Sequence, residues 1–159
     1  RVSGAKEGDT LYLESDSYLS DSSAAATADA DGLAQCDTTA GAYTISADGV
    51  ITDIELDCVQ TKINFNASGE LTTAEGTTWT TKTDLEYDYH MQGASPIGKE
   101  WFEQTNFFED YCKGKSVADI EGIEVNPDNG HVAESEVDLV AGTTMNIDSF
   151  VNVISKSAA

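Results

Sequence analysis

Val50-Ile51-Thr52-Asp53-Ile54-Glu55-Leu56-Asp57-Cys58-Val59-Gln60 is the stretch from which the fold is read. Ile54, Leu56 and Cys58 fall on one side of an extended chain, and Asp53, Glu55 and Asp57 fall on the other. Successive side chains of a strand point to opposite faces, so this is a strand with one face on a core and one in water. Residues 33–46 supply its partner. Asp48-Gly49 between the two runs favours a type I′ turn, whose twist matches that of the flanking strands. Together they predict a β-hairpin.

Outward from the hairpin, Lys62–Phe65 reads as a shorter extended piece that turns at Ser68-Gly69 toward Leu71. On the other side, Thr10–Leu19 alternates weakly through Leu11, Leu13 and Tyr18 and reads as an edge strand. Ser20–Asp31, rich in Ser, Ala and Asp, reads as a loop. Asp29 and Asp31 lack the further ligands of a calcium loop, which makes them a solvated turn. Residues 1–9 read as a frayed lead-in.

The second half carries helical signals. Thr81 or Thr83 caps a short helix around Asp84–Tyr87. Ser95-Pro96 reads as the start of the longest helix, with Ser as N-cap and Pro in the first turn. Ile97, Trp101, Thr105, Phe108 and Cys112 form its inner stripe, and Gly114 ends it. Ser116 caps a short helix over Val117–Glu121. Gly122–Val125 reads as a further strand and Pro127–Gly130 as a turn. Ile147, Phe150, Val151 and Ile154 give a last amphipathic helix over residues 147–156. Strands first and helices later, without a βαβ rhythm, predict an α+β fold: an antiparallel sheet with a hairpin, packed by helices. Residues 1–30 read as an N-terminal strand and loop of the same domain, and residues 31–159 as the α+β domain proper.

The chain has 159 residues, enough for one domain with its own core. Its net charge is -21, from 29 acidic residues against 8 Lys and Arg. Such a surface repels nucleic-acid phosphates and anionic lipid headgroups, which excludes nucleic acid as a partner and electrostatic docking to a membrane. No run approaches the ~20 apolar residues that span a bilayer. A start at Arg1 rather than Met reads as a processed chain, so any membrane attachment is expected through an anchor outside the sequence. Cys58 sits on the apolar strand face and Cys112 on the helical stripe. Both read as buried, inert thiols, while spacing leaves a Cys36–Cys58 bridge open. No Cys/His spacing suggests a metal site, so none is expected.

Hydrolytic chemistry finds no support. His90 and His131 are the only histidines, and no nucleophile elbow, metalloprotease helix or phosphate-loop pattern occurs. Asp138-Leu139-Val140-Ala141-Gly142-Thr143-Thr144 is more informative. It places a glycine and two hydroxyls before the last helix, where free N–H groups and the helix dipole hold a phosphate. Aromatics crowd the region Trp79–Tyr111. Tyr89, Met91 and Trp101 bracket the loop Gln92–Gly98 and make a candidate wall for a flat ring.

Asp138–Thr144 resembles the Asp-x-x-Ser-Gly-Ala-Thr attachment motif of the FMN-binding domain family, which includes flavin-carrying subunits of membrane redox complexes and extracellular flavin lipoproteins. Asp88-Tyr89-His90-Met91 with Ser95-Pro-Ile-Gly-Lys-Glu-Trp-Phe-Glu-Gln104 resembles a secreted or lipid-anchored bacterial subgroup of that superfamily. The resemblance covers roughly residues 30–157 and implies an FMN-binding-domain-like fold. It implies covalent FMN on Thr144, with Asp138 recognised by a flavin transferase and Gly142 allowing close backbone approach. Thr143, Tyr89, Met91 and Trp101 complete the implied cofactor site. The implied role is electron carriage, with a membrane redox partner, at an extracellular or cell-surface location, rather than catalysis. The chain departs from the motif at Ala141, Thr143 and Asn146, and no Lys or Arg is near in sequence to balance a phosphate. A flavin-free cell-surface binding or structural module of the same fold is the alternative.

Overall fold

The computed structural model describes residues 2–158. Strands β1 (Thr10–Leu19), β2 (Gly32–Ile45) and β3 (Ile51–Phe65) form one antiparallel sheet in the order β1-β2-β3. The helices follow: α1 (Lys82–Leu85) with a 3₁₀ turn at Glu86–Tyr89, α2 (Trp101–Cys112), α3 (Val117–Glu121), α4 (Val137–Val140) and α5 (Asp148–Ser155). The fold is α+β, an antiparallel sheet packed by helices.

The alternation in β3 decides which face the helices cover. Ile54, Leu56 and Cys58 are buried on it, and Tyr43 of β2 stands opposite Ile54. Against them pack Trp101, Phe108 and Cys112 of α2, Ile120 of α3, Leu139 of α4, and Phe150, Val153 and Ile154 of α5. Phe150 is the joint between layers: its ring lies 5.8 Å from Trp101, edge to face, and 5.4 Å from Phe108. The Tyr43 hydroxyl donates to the Ile154 carbonyl at 3.0 Å, tying β2 to the end of α5.

Gly41 sets how closely α5 approaches. A Cβ there would lie 2.6 Å from Val153 Cγ1 and 3.0 Å from Leu56 Cδ2. Gly41→Val is therefore expected to destabilise the protein by about 1–3 kcal/mol, because the extra atoms force the helix off the sheet. A lower urea midpoint at unchanged m-value checks this; an unchanged midpoint contradicts the close packing.

The sheet edges are managed differently. At β3, the Glu109 carboxylate of α2 accepts the Leu56 N–H at 2.6 Å, so a helix side chain closes the edge. At β1, Lys156 donates to the Ser15 carbonyl and pairs with Asp16 at 3.5 Å. The other face of the sheet is open, with Leu11, Leu13 and Leu19 exposed.

Several expectations are corrected. The hairpin turn is not type I′, which needs positive φ at both central residues. Only Gly49 has it (φ 81), and the loop Ala47-Asp48-Gly49 is closed by Ser46 N–H to the Val50 carbonyl at 2.9 Å. β3 runs unbroken to Phe65 instead of stopping near Gln60. The longest helix starts at Trp101, not at Ser95-Pro96. Gly98 at φ 65 breaks the chain, and Glu103 accepts the Glu100 N–H at 2.9 Å to fix the true start. Gly122–Val125 is not a strand beyond one bridge, Val125 to Val132. The lead-in is tied down where Ser3 and Gly4 N–H groups donate to Asp53 at 2.6 and 2.5 Å. Ser116 caps α3 as expected, with its side chain accepting from Asp119 N–H. All three cysteines are free thiols, Cys58 and Cys112 buried.

Candidate functional site

The motif Asp138–Thr144 divides between α4 and the bend that follows it. Asp138 is exposed on α4 and stands apart from the residues below. Gly142 is buried against Phe107 of α2: a Cβ would lie 2.3 Å from the ring. Its close approach is therefore to a side chain of the protein itself. Thr143 is fully buried, and its hydroxyl donates to the Gln104 carbonyl at 2.9 Å. Thr144 is half-buried. Its N–H donates to Gln104 Oε1 at 2.9 Å and its hydroxyl to the same oxygen at 3.3 Å.

Gln104 is the hub of this arrangement. It is completely buried, and its Nε2 donates to Ser95 Oγ and to the Lys99 carbonyl, each at 3.1 Å. It thereby joins the Ser95–Gln104 segment to the Thr143-Thr144 bend, 40 residues further on. Gln104→Ala is expected to lower stability by about 1–3 kcal/mol, because it leaves the Thr144 N–H without its acceptor. A thermal melt reads this directly, and an unchanged midpoint would remove Gln104 as the hub.

The expected position of the bend is corrected. Thr144 does not feed the last helix directly, because α5 starts at Asp148. Asn146 bridges to His131, Ile147 N–H donates to the Gly130 carbonyl at 3.0 Å, and Asn146 Oδ1 accepts the Asp148 N–H at 2.9 Å. Residues 145–147 are thus held along the 130–131 segment, and a side-chain oxygen already occupies one of the helix's leading N–H groups.

Tyr89, Met91 and Trp101 do come together. They line one cleft of about 170 Å³ with Cys58, Lys82, Met145 and Ser149. The loop that carries Met91 is fixed by Glu100, whose buried carboxylate accepts the Met91 and Gln92 N–H groups at 2.8 and 2.9 Å. The Lys82 ammonium lies over two rings of the wall, 5.0 Å from the centre of Tyr89 and 5.4 Å from Trp101. Burial raises the Cys58 thiol above its ordinary value against the pull of Lys82, so it stays protonated and inert. Desolvation, and then the charge of Asp37, push the Tyr18 phenol at the cleft's margin up to about 12. Beyond Lys82 and Tyr89 the cleft meets a second hollow of about 390 Å³, lined by Gln60, Lys62, Trp79 and Asp88.

Two positions of this arrangement escaped the sequence. Gln104 lay inside a quoted segment, but nothing in the sequence named its partner. Lys99 brings to this region the cation that sequence proximity did not offer: its ammonium is 5.7 Å from the centre of Phe107, the ring on which Gly142 packs. His90 and His131 are exposed and line neither hollow. Among the described residues no helix is long and apolar enough to cross a membrane, and no group of His, Cys, Asp and Glu is placed to hold a metal ion.

For a tethered flavin nucleotide the fit is partial, because Thr144 lines neither hollow. Thr144 is half-buried with its hydroxyl on Gln104, and the next residue, Met145, lines the cleft that carries Lys82. The cleft is smaller than the roughly 300–1,000 Å³ of an enclosed ligand pocket, so a ring held there keeps one side in solvent.

Comparison with known proteins gives one partial relative. A chlorophenol reductase of Desulfitobacterium hafniense is similar over 48 residues at 46% identity. The matched stretch is 30% of this chain and 15% of that protein, so the chain spans only a small part of its relative's length. No family model matches the chain. No solved structure matches it.

Proposed function

We propose that the chain is an extracellular or membrane-anchored electron carrier of the FMN-binding-domain kind, with FMN joined through its phosphate to Thr144. The observation that carries this reading is the Gln104 hub. The two segments that resemble the FMN-binding family, distant in sequence, are bonded to each other through one buried amide. That bond fixes the bend whose next residue, Met145, lines the cleft with Tyr89, Met91 and Trp101.

Each residue then has a task. Asp138, exposed, is available to a flavin transferase. Gln104 Oε1 accepts the Thr144 hydroxyl hydrogen and orients the oxygen that is to be esterified. Thr143 and Gly142 hold the bend rigid by packing inward. Tyr89 lines the cleft half-buried, Trp101 backs it from the core, and Lys82 over both rings balances negative charge on whatever rests beside them. FMN supplies reversible electron transfer when bound, and the protein supplies the tether and the electrostatics. Partial similarity to a protein named as a reductase is in keeping with a redox setting. A membrane redox partner follows from the carrier role, reached through an anchor outside this sequence.

Co-expression with a flavin transferase tests the reading. One flavin per chain that survives denaturation supports it. Colourless protein of unmodified mass, beside a control carrier that the same transferase does label, contradicts it and favours a flavin-free surface module.

A further inference from the structure

We infer that the hollow on the far side of Lys82 is a binding site for a small aromatic anion, a single ring bearing a carboxylate or phenolate oxygen. This hollow shares Lys82 and Tyr89 with the neighbouring cleft, opens on their other side, and is filled without a flavin.

Three observations point to that ligand. The first is shape and lining: the hollow measures about 390 Å³ and has two half-buried aromatic residues, Trp79 and Tyr89, in its wall. That volume falls in the range of small-molecule sites. The second is charge. Of the 8 Lys and Arg in a chain of net charge -21, this hollow holds two, Lys62 and Lys82. The third is the state of Lys82. Lys113 and Lys156 spend their charge on carboxylates, but Lys82 is half-buried against two rings and makes no salt bridge among the described residues. A partly desolvated ammonium without a counter-ion is stabilised by an anion placed beside it, more so than one on the open surface.

The same geometry sets the selectivity. Asp88 is exposed and also lines the hollow. A multiply charged anion meets that carboxylate as well as the lysines. A singly charged anion needs only one lysine partner and meets less of that repulsion.

The test uses the whole chain, made without a transferase so that Thr144 is unmodified, at pH 7. Benzoate and its uncharged isostere benzamide are titrated separately while the Trp79 indole N–H resonance is followed by NMR. Benzoate is expected to give saturable shifts at Trp79, at least about tenfold tighter than benzamide. Lys82→Met should weaken benzoate about tenfold, Lys82→Arg should restore it to within about threefold, and Lys6→Met, in the exposed lead-in, should leave it unchanged. Far-ultraviolet circular dichroism confirms that each variant is folded. Absence of saturable shifts at Trp79, equal binding of benzamide, or full affinity in folded Lys82→Met overturns the inference. None of these results bears on the modification of Thr144.

Discussion

Thr144→Ala will abolish covalent flavin attachment completely, while the protein still folds. The side chain is half-buried, and its hydroxyl makes one long hydrogen bond, 3.3 Å, to Gln104 Oε1. Its stronger bond to the same oxygen, at 2.9 Å, comes from the backbone N–H and survives the substitution. The expected stability loss is therefore small, on the order of the 0.5–1.5 kcal/mol of an ordinary hydrogen bond. Thr143→Ala should show the reverse pattern. Its buried hydroxyl is bonded to the Gln104 carbonyl at 2.9 Å, so its removal costs stability but leaves the acceptor oxygen at Thr144 in place. Intact mass before and after transferase treatment, with a thermal melt of each variant, separates the two. Retained flavin in Thr144→Ala would place the attachment elsewhere.

Glu109→Gln will stabilise the protein at alkaline pH. Glu109 is buried beneath the edge of β3, and desolvation pushes its carboxyl from the ordinary 4.5 up to about 7, against the opposing pull of the Leu56 N–H. A raised folded-state value means that the folded protein holds the proton more tightly than the unfolded chain. The associated stability is complete below about pH 4.5, is lost as pH rises toward 7, and is absent above it. A shift of that size corresponds to about 3 kcal/mol. The glutamine carbonyl can still accept the Leu56 N–H, and no charge is then buried. Unfolding free energies between pH 5.5 and 8.5 should fall more steeply for the natural protein than for the variant, with the variant more stable at the upper end. Self-repulsion of the net charge acts on both and cancels in the difference. Parallel curves would show that Glu109 does not titrate in this window.

The parts of this fold that were legible in the sequence are those set by periodicity over short range. The alternation Ile54–Cys58 gave the strand and its buried face, and the stripe Trp101–Thr105–Phe108–Cys112 gave the inner face of α2. Boundaries set by side chains from elsewhere were not legible. Ser95-Pro96 has the composition of a helix start, yet Glu100 spends its carboxylate on Met91 and Gln92 and the helix waits until Trp101. The hairpin turn failed for a local reason, since Asp-Gly also serves a longer loop in which glycine alone takes positive φ. At the candidate site, the sequence named Tyr89, Met91 and Trp101, and they share a cleft. It named Thr144 as feeding α5, but pairing of Asn146 with His131 holds the bend away from the helix. Gln104 and Lys99 were beyond reach, because their roles depend on a bend far along the chain that packs against the start of α2.

The most direct test is tandem mass spectrometry of the tryptic peptide Ser116–Lys156 from protein isolated from its natural host. The peptide is predicted to carry one FMN phosphoester on Thr144. The same peptide recovered only in its unmodified form, with no flavin elsewhere on the chain, would contradict the assignment and leave an α+β domain without a tethered cofactor.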